Sequence, residues 1–186
     1  MNRLKQQYQQ EVAPKLQKEL KLSSPMAVPT ITKIVLNMGV TEPQETGPRE
    51  KALENIQEQF ATITGQRPQI TKAKKAISNF GLRAGDPVGV TVTLRGQKMW
   101  QFLDKLISVA LPRVKDFKGV SLTAFDGQGN YSIGLEEQII FPEINYDQIE
   151  SVRSFQVNIN TSTESNQQAR RLLELLGMPF EKEEDK

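Results

Sequence analysis

The chain has 186 residues, with 24 Lys plus Arg, 22 Asp plus Glu, and neither His nor Cys. Without His and Cys it cannot form a disulfide, a zinc finger, a thiolate nucleophile or a histidine-ligated metal site, which excludes most hydrolase mechanisms. The polar start and the short apolar runs, far below the roughly 20 residues that span a bilayer, predict a protein of the cytoplasm or of an organelle matrix or stroma, with no membrane partner.

Apolar residues recur every four positions at the start of the chain. This spacing predicts an amphipathic helix over residues 4–20, bent or restarted at Pro14 and ended by the Ser-Ser-Pro at 23–25. Residues 30–38 alternate, which predicts a strand with its polar face at Asn37. The apolar face of that strand comprises Ile34, Leu36 and Met38.

The next stretch contains a second helix and a long loop. A turn-rich loop at 43–48 precedes the helix, which ends at Gly65. Residues 67–71 are predicted to form a short strand. Residues 72–87 show no sustained period and carry four basic residues, which is typical of a loop that is used for binding. The second helix is predicted to bury Ala52, Leu53, Ile56, Phe60 and Ile63.

A regular strand and a third helix follow. Residues 88–95 alternate between apolar and polar positions and are predicted to form the strand. The helix runs from Gln97 and ends at Pro112. Residues 125–134 are rich in glycine and are interpreted as a turn that leads into an apolar run at 137–141. The third helix is predicted to bury Trp100, Leu103, Leu106, Ile107 and Ala110.

The C-terminal region repeats a strand and a helix. Residues 154–161 alternate, and a last helix begins near 163–164 and is capped by Gly177. The element order predicts an α+β fold: a single domain over 1–180 with a mostly antiparallel sheet, helices packed on one face and an open polar face. A charged tail follows at 181–186. The buried residues are predicted to be Phe155, Val157 and Ile159 in the strand, and Ala169, Leu172, Leu173 and Leu176 in the helix.

The net charge of +2 conceals an uneven distribution. Residues 66–119 carry 11 basic and 3 acidic side chains, whereas residues 120–186 carry 5 basic and 12 acidic ones. A basic middle region beside an acidic C-terminal third indicates a polyanionic partner on one side of the protein. Clustered side chains that are only solvated would give the same count.

Amides and hydroxyls line the predicted open face of the sheet. They can hydrogen-bond ribose 2′-hydroxyls and base edges, and the basic loop at 72–87 would add attraction for phosphates, so we interpret the face as RNA-binding. The alternatives are a solvated face, a protein adaptor that uses the acidic third, and an enzyme acting on phosphorylated substrates. The face comprises Asn37, Thr91, Thr93, Arg95, Gln156, Asn158 and Asn160.

The segment that begins at Asp126 imitates two ligand-binding loops. The spacing from Asp126 to Glu137 is similar to that of a calcium loop, but Gln128 and Tyr131 stand where such a loop needs Asp or Asn and Gly. Its glycines also lack the spacing of a dinucleotide loop. We therefore predict a structural turn here, and no metal, cofactor or catalytic residue in the chain.

Seven strings in the sequence are long and specific. They are KIVLNMGV at 33–40, TGQRP at 64–68, TKAKK at 71–75, VTLRG at 92–96, LPRVKDFKG at 111–119, FDGQGNY at 125–131 and EQIIFPEI at 137–144. Together they resemble the bacterial family of the fifth protein of the large ribosomal subunit, in order from about residue 2 to Phe180. The resemblance implies a structural RNA-binding protein of the ribosome without enzymatic activity.

The resemblance also implies partners and contact residues. Members of the family hold 5S ribosomal RNA in the central protuberance, touch 23S ribosomal RNA and neighbouring large-subunit proteins, approach the peptidyl-site (P-site) transfer RNA, and bridge to a small-subunit head protein. Carried over by position, the RNA contacts are Asn37, Met38, Gly39, Gln66, Arg67, Thr71, Lys72, Lys74, Lys75, Thr93 and Arg95. The loop near transfer RNA comprises Ser78, Asn79, Phe80, Leu82 and Arg83, and the bridge comprises Asn145, Asp147, Glu150 and Arg153.

Overall fold

The computed structural model describes residues 2–40, 46–144, 149 and 151–181. Its α-helices are α1 (Arg3–Gln7), α2 (Ala13–Glu19), α3 (Thr46–Thr64), α4 (Gly96–Lys105) and α5 (Asn166–Leu175). Its strands are β1 (Ile31–Gly39), β2 (Gln69–Lys72), β3 (Pro87–Leu94), β4 (Tyr131–Leu135) and β5 (Phe155–Thr161). The predicted α+β class is confirmed. Within these described ranges, no helix is long and apolar enough to cross a membrane.

The strands form one antiparallel sheet in the order β2, β3, β1, β5, β4. In the β2–β3 pair, Gln69 lies opposite Thr91 and Ile70 opposite Val90, and the register shifts after Thr71. Side chains alternate across a strand, so this register places Gln69, Thr71 and Thr91 on one face and the two apolar residues on the other.

The predicted division of the strands into two faces is confirmed. In β1, Ile34 and Met38 are buried while Asn37 is exposed. The apolar side chains of one face are buried away from water, and the polar groups of the other face stay accessible to solvent. The same alternation buries Val90, Val92 and Leu94 in β3, and Phe155, Val157 and Ile159 in β5.

Two helices change their winding immediately before a proline. A π-helical turn at Tyr8–Val12 joins α1 to α2 just before Pro14, and a second one at Leu106–Ala110 extends α4 towards Pro112. Proline cannot donate a backbone hydrogen bond and its ring crowds the preceding turn, so a wider turn relieves the conflict. Ile107, which the periodicity predicts to be buried, is only half-buried in this widened turn.

The chain divides into two compact units, each assembled from separate stretches of sequence. The first unit comprises Met1–Ile34, Arg95–Ile133 and Asn158–Lys186, and the second comprises Val35–Leu94 and Gly134–Val157. In the first, the Tyr8 ring lies 5.3 Å from that of Trp100, centroid to centroid. In the second, Phe60 of α3 packs edge-on against Phe155 at 5.5 Å. That residues 1–180 fold as one domain with a tail at 181–186 stays a prediction.

Two predicted boundaries are wrong. The turn predicted over 125–134 overlaps most of β4, whose alternating residues Tyr131, Ile133 and Leu135 are buried. The helix α3 begins at Thr46, inside the loop predicted at 43–48. A proline is tolerated in the first turn of a helix, because the N–H groups there have no helical partner. Residues 43–45 of that loop lie outside the described residues.

Candidate nucleic-acid interface

The open face of the second unit is the polar side of its strands. Asn37 is exposed, and Thr91 and Thr93 are half-buried. The Thr91 hydroxyl donates to the backbone oxygen of Leu36 at 3.0 Å, so it ties β3 to β1. The Thr93 hydroxyl has no partner among the described residues. Of these two hydroxyls, the one carried over as an RNA contact is therefore the one that is available.

The other amides of the predicted face differ in the same way. Gln156 in the second unit is exposed and has no partner in the described part of the chain. In the first unit, the Asn158 oxygen Oδ1 accepts from the Ser132 hydroxyl at 2.8 Å, and the Asn160 amide donates to Asn130 Oδ1 at 3.1 Å. The asparagines of the first unit thus stabilise their own unit.

A close approach of backbone and side chain surrounds Gly89 of β3. A Cβ there would lie 2.6 Å from the Met38 backbone oxygen and 3.1 Å from Thr71 Oγ1. Only glycine fits this position without a shift of the neighbours. Gly39, carried over as an RNA contact, is exposed next to it. Met38, carried over likewise, is 1% exposed, so its side chain belongs to the core and only its backbone can meet a partner.

Gln66 is held at the end of β3. Its Nε2 donates to the Thr93 backbone oxygen at 3.1 Å. The Thr64 hydroxyl donates to the Gln66 backbone oxygen at 3.0 Å. These bonds fix the turn that follows α3 and place the exposed Arg67 next in the chain. A second tie, from Gln57 Nε2 to the Pro68 oxygen at 2.7 Å, joins α3 to the same turn. Gln66 therefore positions the turn as well as presenting its amide oxygen.

The basic loop, residues 72–87, has a hydrogen-bonded frame. At its base the Ala73 N–H donates to the Asp86 oxygen at 2.8 Å. Farther out, Ile77 and Leu82 exchange two backbone hydrogen bonds of 2.9 and 3.1 Å. The predicted loop thus contains a small hairpin, which the sequence showed no period for because only two residues pair.

Cations project from this frame without acidic partners. The four basic residues of the loop, and Arg67 just before β2, are exposed, and none forms an ion pair or a side-chain hydrogen bond within the part of the chain that the structure describes. Even the nearby Asp86 carboxylate accepts from the Arg83 backbone N–H, at 2.9 Å. Unpaired cations are free to attract phosphates. The five are Arg67, Lys72, Lys74, Lys75 and Arg83.

The tip of the loop exposes an aromatic ring. Phe80 is 64% exposed and Ile77 is 45% exposed. Ser78 and Asn79 beside them are also exposed, while Leu82 is half-buried. Aromatic rings among cations are typical of surfaces on which unpaired bases stack.

The remaining predicted contacts fall elsewhere. Arg95 is exposed immediately after β3, but it belongs to the first unit. Of the bridge residues, Arg153 is half-buried. Asn145, Asp147 and Glu150 lie outside the described residues.

Gln138 is a positioning residue that the sequence analysis missed. It is 1% exposed, its Nε2 donates to the Ser151 oxygen at 2.9 Å, and its Oε1 accepts from the Arg153 N–H. Both bonds hold the chain where the predicted bridge segment ends. The available signal was a single amide inside the apolar run at 137–141, since a buried amide needs partners.

The turn at Asp126 uses its polar groups internally. Asp126 Oδ1 accepts from the N–H groups of Gln128 and Asn130 at 2.8 and 3.0 Å, and Oδ2 accepts from the Asn130 side chain at 2.6 Å. The side-chain bond from Asn130, helped by the Gln128 N–H, holds the pKa of the Asp126 carboxyl below its usual range. This arrangement supports the interpretation as a structural turn.

Related chains are found over almost the whole length. A family model described as "Ribosomal protein L5" matches residues 24–83, and a second model, for the C-terminus of the same ribosomal family, matches 87–180. A "Large ribosomal subunit protein uL5" from Rubrobacter xylanophilus is 54% identical over 180 residues, which cover 97% of this chain and 98% of the relative. Proteins of that name from two strains of Chloroflexus aurantiacus are 53% identical over 178 residues, covering 96% of this chain and 97% of each relative.

Proposed function

We propose, from the premise that this chain belongs to the ribosomal protein L5 family, that its open face and basic loop bind 5S ribosomal RNA. As a member of that family it is a structural, non-enzymatic constituent of the large ribosomal subunit, associated with cytoplasmic ribosomes and active in translation. The predicted family is confirmed, and the enzyme and adaptor alternatives are set aside. Which RNA the chain contacts, and with which residues, is the proposal.

The unpaired cations of the basic loop carry the proposal. Lys72, Lys74 and Lys75 lie within four positions at the end of β2, all exposed and none neutralised by a described carboxylate. An RNA strand along this edge would exchange condensed counterions for them. Phosphate contacts of this kind fix the position of the protein on the RNA but do not read its sequence.

The polar strand face next to these lysines supplies shape recognition. Asn37 and Thr93 offer an amide and a hydroxyl without partners in the described part of the chain. Gln66 adds its Oε1, since its Nε2 is used on the Thr93 backbone. Such groups suit ribose 2′-hydroxyls, which distinguish RNA from DNA.

Other regions suit the further partners of the proposal. The exposed Phe80 and Arg83 at the loop tip are suited to transfer RNA in the peptidyl site, because a ring and a cation can stack on a base and meet a phosphate. The segment held by Gln138 would form the bridge to a small-subunit head protein. The proposal also includes contacts with 23S ribosomal RNA and with neighbouring large-subunit proteins.

The test is the affinity of the full chain for 5S ribosomal RNA as a function of salt. Four phosphate contacts, from Arg67, Lys72, Lys74 and Lys75, predict a log–log slope of about −3, with binding that weakens steeply between roughly 50 and 200 mM salt. An unrelated RNA of equal length serves as the control and should bind more weakly. A flat salt dependence, or equal affinity for the two RNAs, would contradict the proposal.

A further inference from the structure

The solvent side of α3 carries a stripe of glutamates that no cation neutralises. Glu50, Glu54 and Glu58 are exposed, follow one another at intervals of four residues, and form no ion pair within the described part of the chain. Like charges at this spacing lie next to each other on a helix and weaken it by repulsion. The stripe therefore lowers the stability of α3 and makes no stabilising contact in exchange.

Two of these glutamates line a groove on the second unit, which we call the α3 groove. It has a volume of about 520 Å³. Helix α3 contributes Glu54 and Glu58, and the segment after β4 contributes a third carboxylate, Glu143, and the half-buried Ile144. The groove is lined by Lys51, Glu54, Asn55, Glu58, Gln59, Thr62, Glu143 and Ile144.

The lining of the α3 groove also contains a buried acceptor without a donor. The oxygen Oε1 of Gln59 is buried and has no hydrogen-bond partner among the described residues, whereas its Nε2 donates to Asn55 Oδ1 at 2.9 Å. An unpaired buried acceptor is rare and unfavourable, so it indicates a ligand that donates hydrogen bonds. Lysine and arginine side chains carry several donors and no acceptor. A cationic side chain would therefore satisfy this oxygen and the neighbouring carboxylates together.

The α3 groove and the open face lie on opposite sides of the sheet of the second unit. Helix α3 covers the apolar face, where Phe60 packs against Phe155 at 5.5 Å, and its glutamates lie on the side of the helix away from the sheet. Carboxylates repel the phosphates of an RNA. A lysine or arginine of a protein suits the groove better, because its charged end can pair with Glu54 or Glu58 while its methylene chain lies along Ile144.

We propose that the α3 groove docks a segment of another protein that is rich in lysine and arginine. This contact goes beyond the RNA contacts of the proposed function and does not depend on them, because it uses the other side of the sheet. The second unit then has two charged surfaces of opposite sign, the basic loop for RNA and the α3 groove for a basic protein segment.

The first test measures the affinity of the full chain for a fluorescent oligolysine peptide at low salt. The double variant Glu54→Gln, Glu58→Gln should bind about fivefold to tenfold more weakly, because it removes two exposed ion pairs. Its melting temperature should be unchanged or raised, since the like-charge repulsion is removed. Gln59→Met should weaken binding by about threefold at unchanged net charge.

The matched control is the double variant Glu136→Gln, Glu137→Gln, whose two glutamates are also exposed and belong to the second unit. It removes the same charge away from the groove, and its affinity for the peptide should stay within about twofold of the wild type, because exposed charges are screened with distance. Equal losses in the two double variants would indicate attraction by total charge and would overturn the proposal. Wild-type affinity in Gln59→Met would overturn it as well.

Zero-length carbodiimide coupling locates the contact. The reagent joins a lysine amine to a carboxylate that touches it, so mass spectrometry should find the peptide on Glu54, Glu58 or Glu143. Coupling spread evenly over the exposed carboxylates would contradict the proposal.

The affinity for 5S ribosomal RNA separates this proposal from the proposed function. Glu54→Gln, Glu58→Gln should bind the RNA as the wild type does. Weaker RNA binding by this variant would show that the groove is an RNA contact, and the docking proposal alone would be wrong. Wild-type protein that fails to bind 5S RNA but couples the peptide at Glu54 or Glu58 would overturn the proposed function and uphold the docking proposal.

Discussion

The basic loop and the turn at Asp126 both resemble ligand-binding segments in the sequence, yet their polar groups differ in whether they are already hydrogen-bonded within the fold. In the turn, both Asp126 oxygens accept hydrogen bonds from within the turn, and Asn130 accepts from Asn160. In the basic loop, Lys74 and Lys75 have no described partner. One segment is closed on itself, and the other is open to a ligand.

The difference shows how a motif can be separated from a site. Gly, Asp and Asn suit tight turns as well as ligand loops, so composition alone does not decide between the two. What decides is whether donors and acceptors are already used within the fold, because a used group must break a bond before it binds anything. Substitutions in the turn should therefore change the stability of the protein, and substitutions in the loop should change its RNA affinity. Each kind of substitution should have little effect on the other property.

Gly129→Ala should have the largest effect, and on stability alone. Gly129 has a φ of +74°, and a Cβ there would overlap the Thr163 backbone oxygen. Strain and overlap together should lower the free energy of unfolding by about 3 kcal/mol or more. Chemical denaturation measures this change. Loss of 5S RNA affinity by the folded fraction would break the comparison, because it would make the turn part of the interface.

Tyr131 should make the same region sensitive to alkali. Its ring lies 4.6 Å from that of Phe125 and 5.5 Å from that of Phe180, centroid to centroid, and its hydroxyl donates to the Ser121 oxygen. Burial, with the nearby Glu181 charge, raises the pKa of Tyr131 to about 12.

The folded state keeps the Tyr131 proton after the unfolded state loses it near pH 10. The contribution of this hydroxyl to the free energy of unfolding is therefore complete below pH 10. It is lost as the pH rises through the folded pKa, by roughly 2–3 kcal/mol. The loss is measured by comparing the unfolding free energies of the wild type and Tyr131→Phe between pH 10 and pH 12. Parallel curves for the two proteins would show that Tyr131 is not the titrating group.

Neutralising Lys72, Lys74 and Lys75 together should weaken RNA binding and leave stability almost unchanged, the reverse of the effect of Gly129→Ala. Exposed lysines without partners contribute little to folding, so the stability should change by less than about 0.5 kcal/mol. Affinity for 5S RNA should fall roughly tenfold to a hundredfold, and the salt slope should become shallower by about 2. Replacing Lys15, Lys18 and Lys21, which are also exposed and lie in the first unit, provides the matched control. Equal losses from the two triple variants would indicate attraction by total charge alone.

The sequence predicted the strand faces because alternation depends only on local geometry. Strands β1 and β5 bury the predicted residues, and α3 buries the predicted stripe that includes Leu53 and Phe60. Strand β4 was missed because its five residues follow Gly127 and Gly129, whose turn signal is stronger than so short an alternation.

Within the site, the sequence could predict exposure but not hydrogen-bond partners. Thr91 and Thr93 have the same residue type, strand and face, and nothing local distinguishes them. The difference comes from β1, 55 residues away in the chain, where the Leu36 oxygen accepts from Thr91. Met38 shows the same limit, because a contact carried over by position can lie in the core and offer only backbone.

The two threonines provide the smallest and sharpest test. Valine replaces threonine with nearly the same shape and removes only the hydroxyl. Thr91→Val should lower the free energy of unfolding by about 1 kcal/mol, since it deletes the bond to Leu36, and should leave RNA affinity nearly unchanged. Thr93→Val should leave stability unchanged and weaken 5S RNA binding about fivefold, which corresponds to about 1 kcal/mol. Thermal unfolding and RNA titration of both variants measure the four quantities. If both variants lose affinity equally, the internal bond of Thr91 does not withdraw its hydroxyl from binding, and the distinction between used and available polar groups fails even within a single strand.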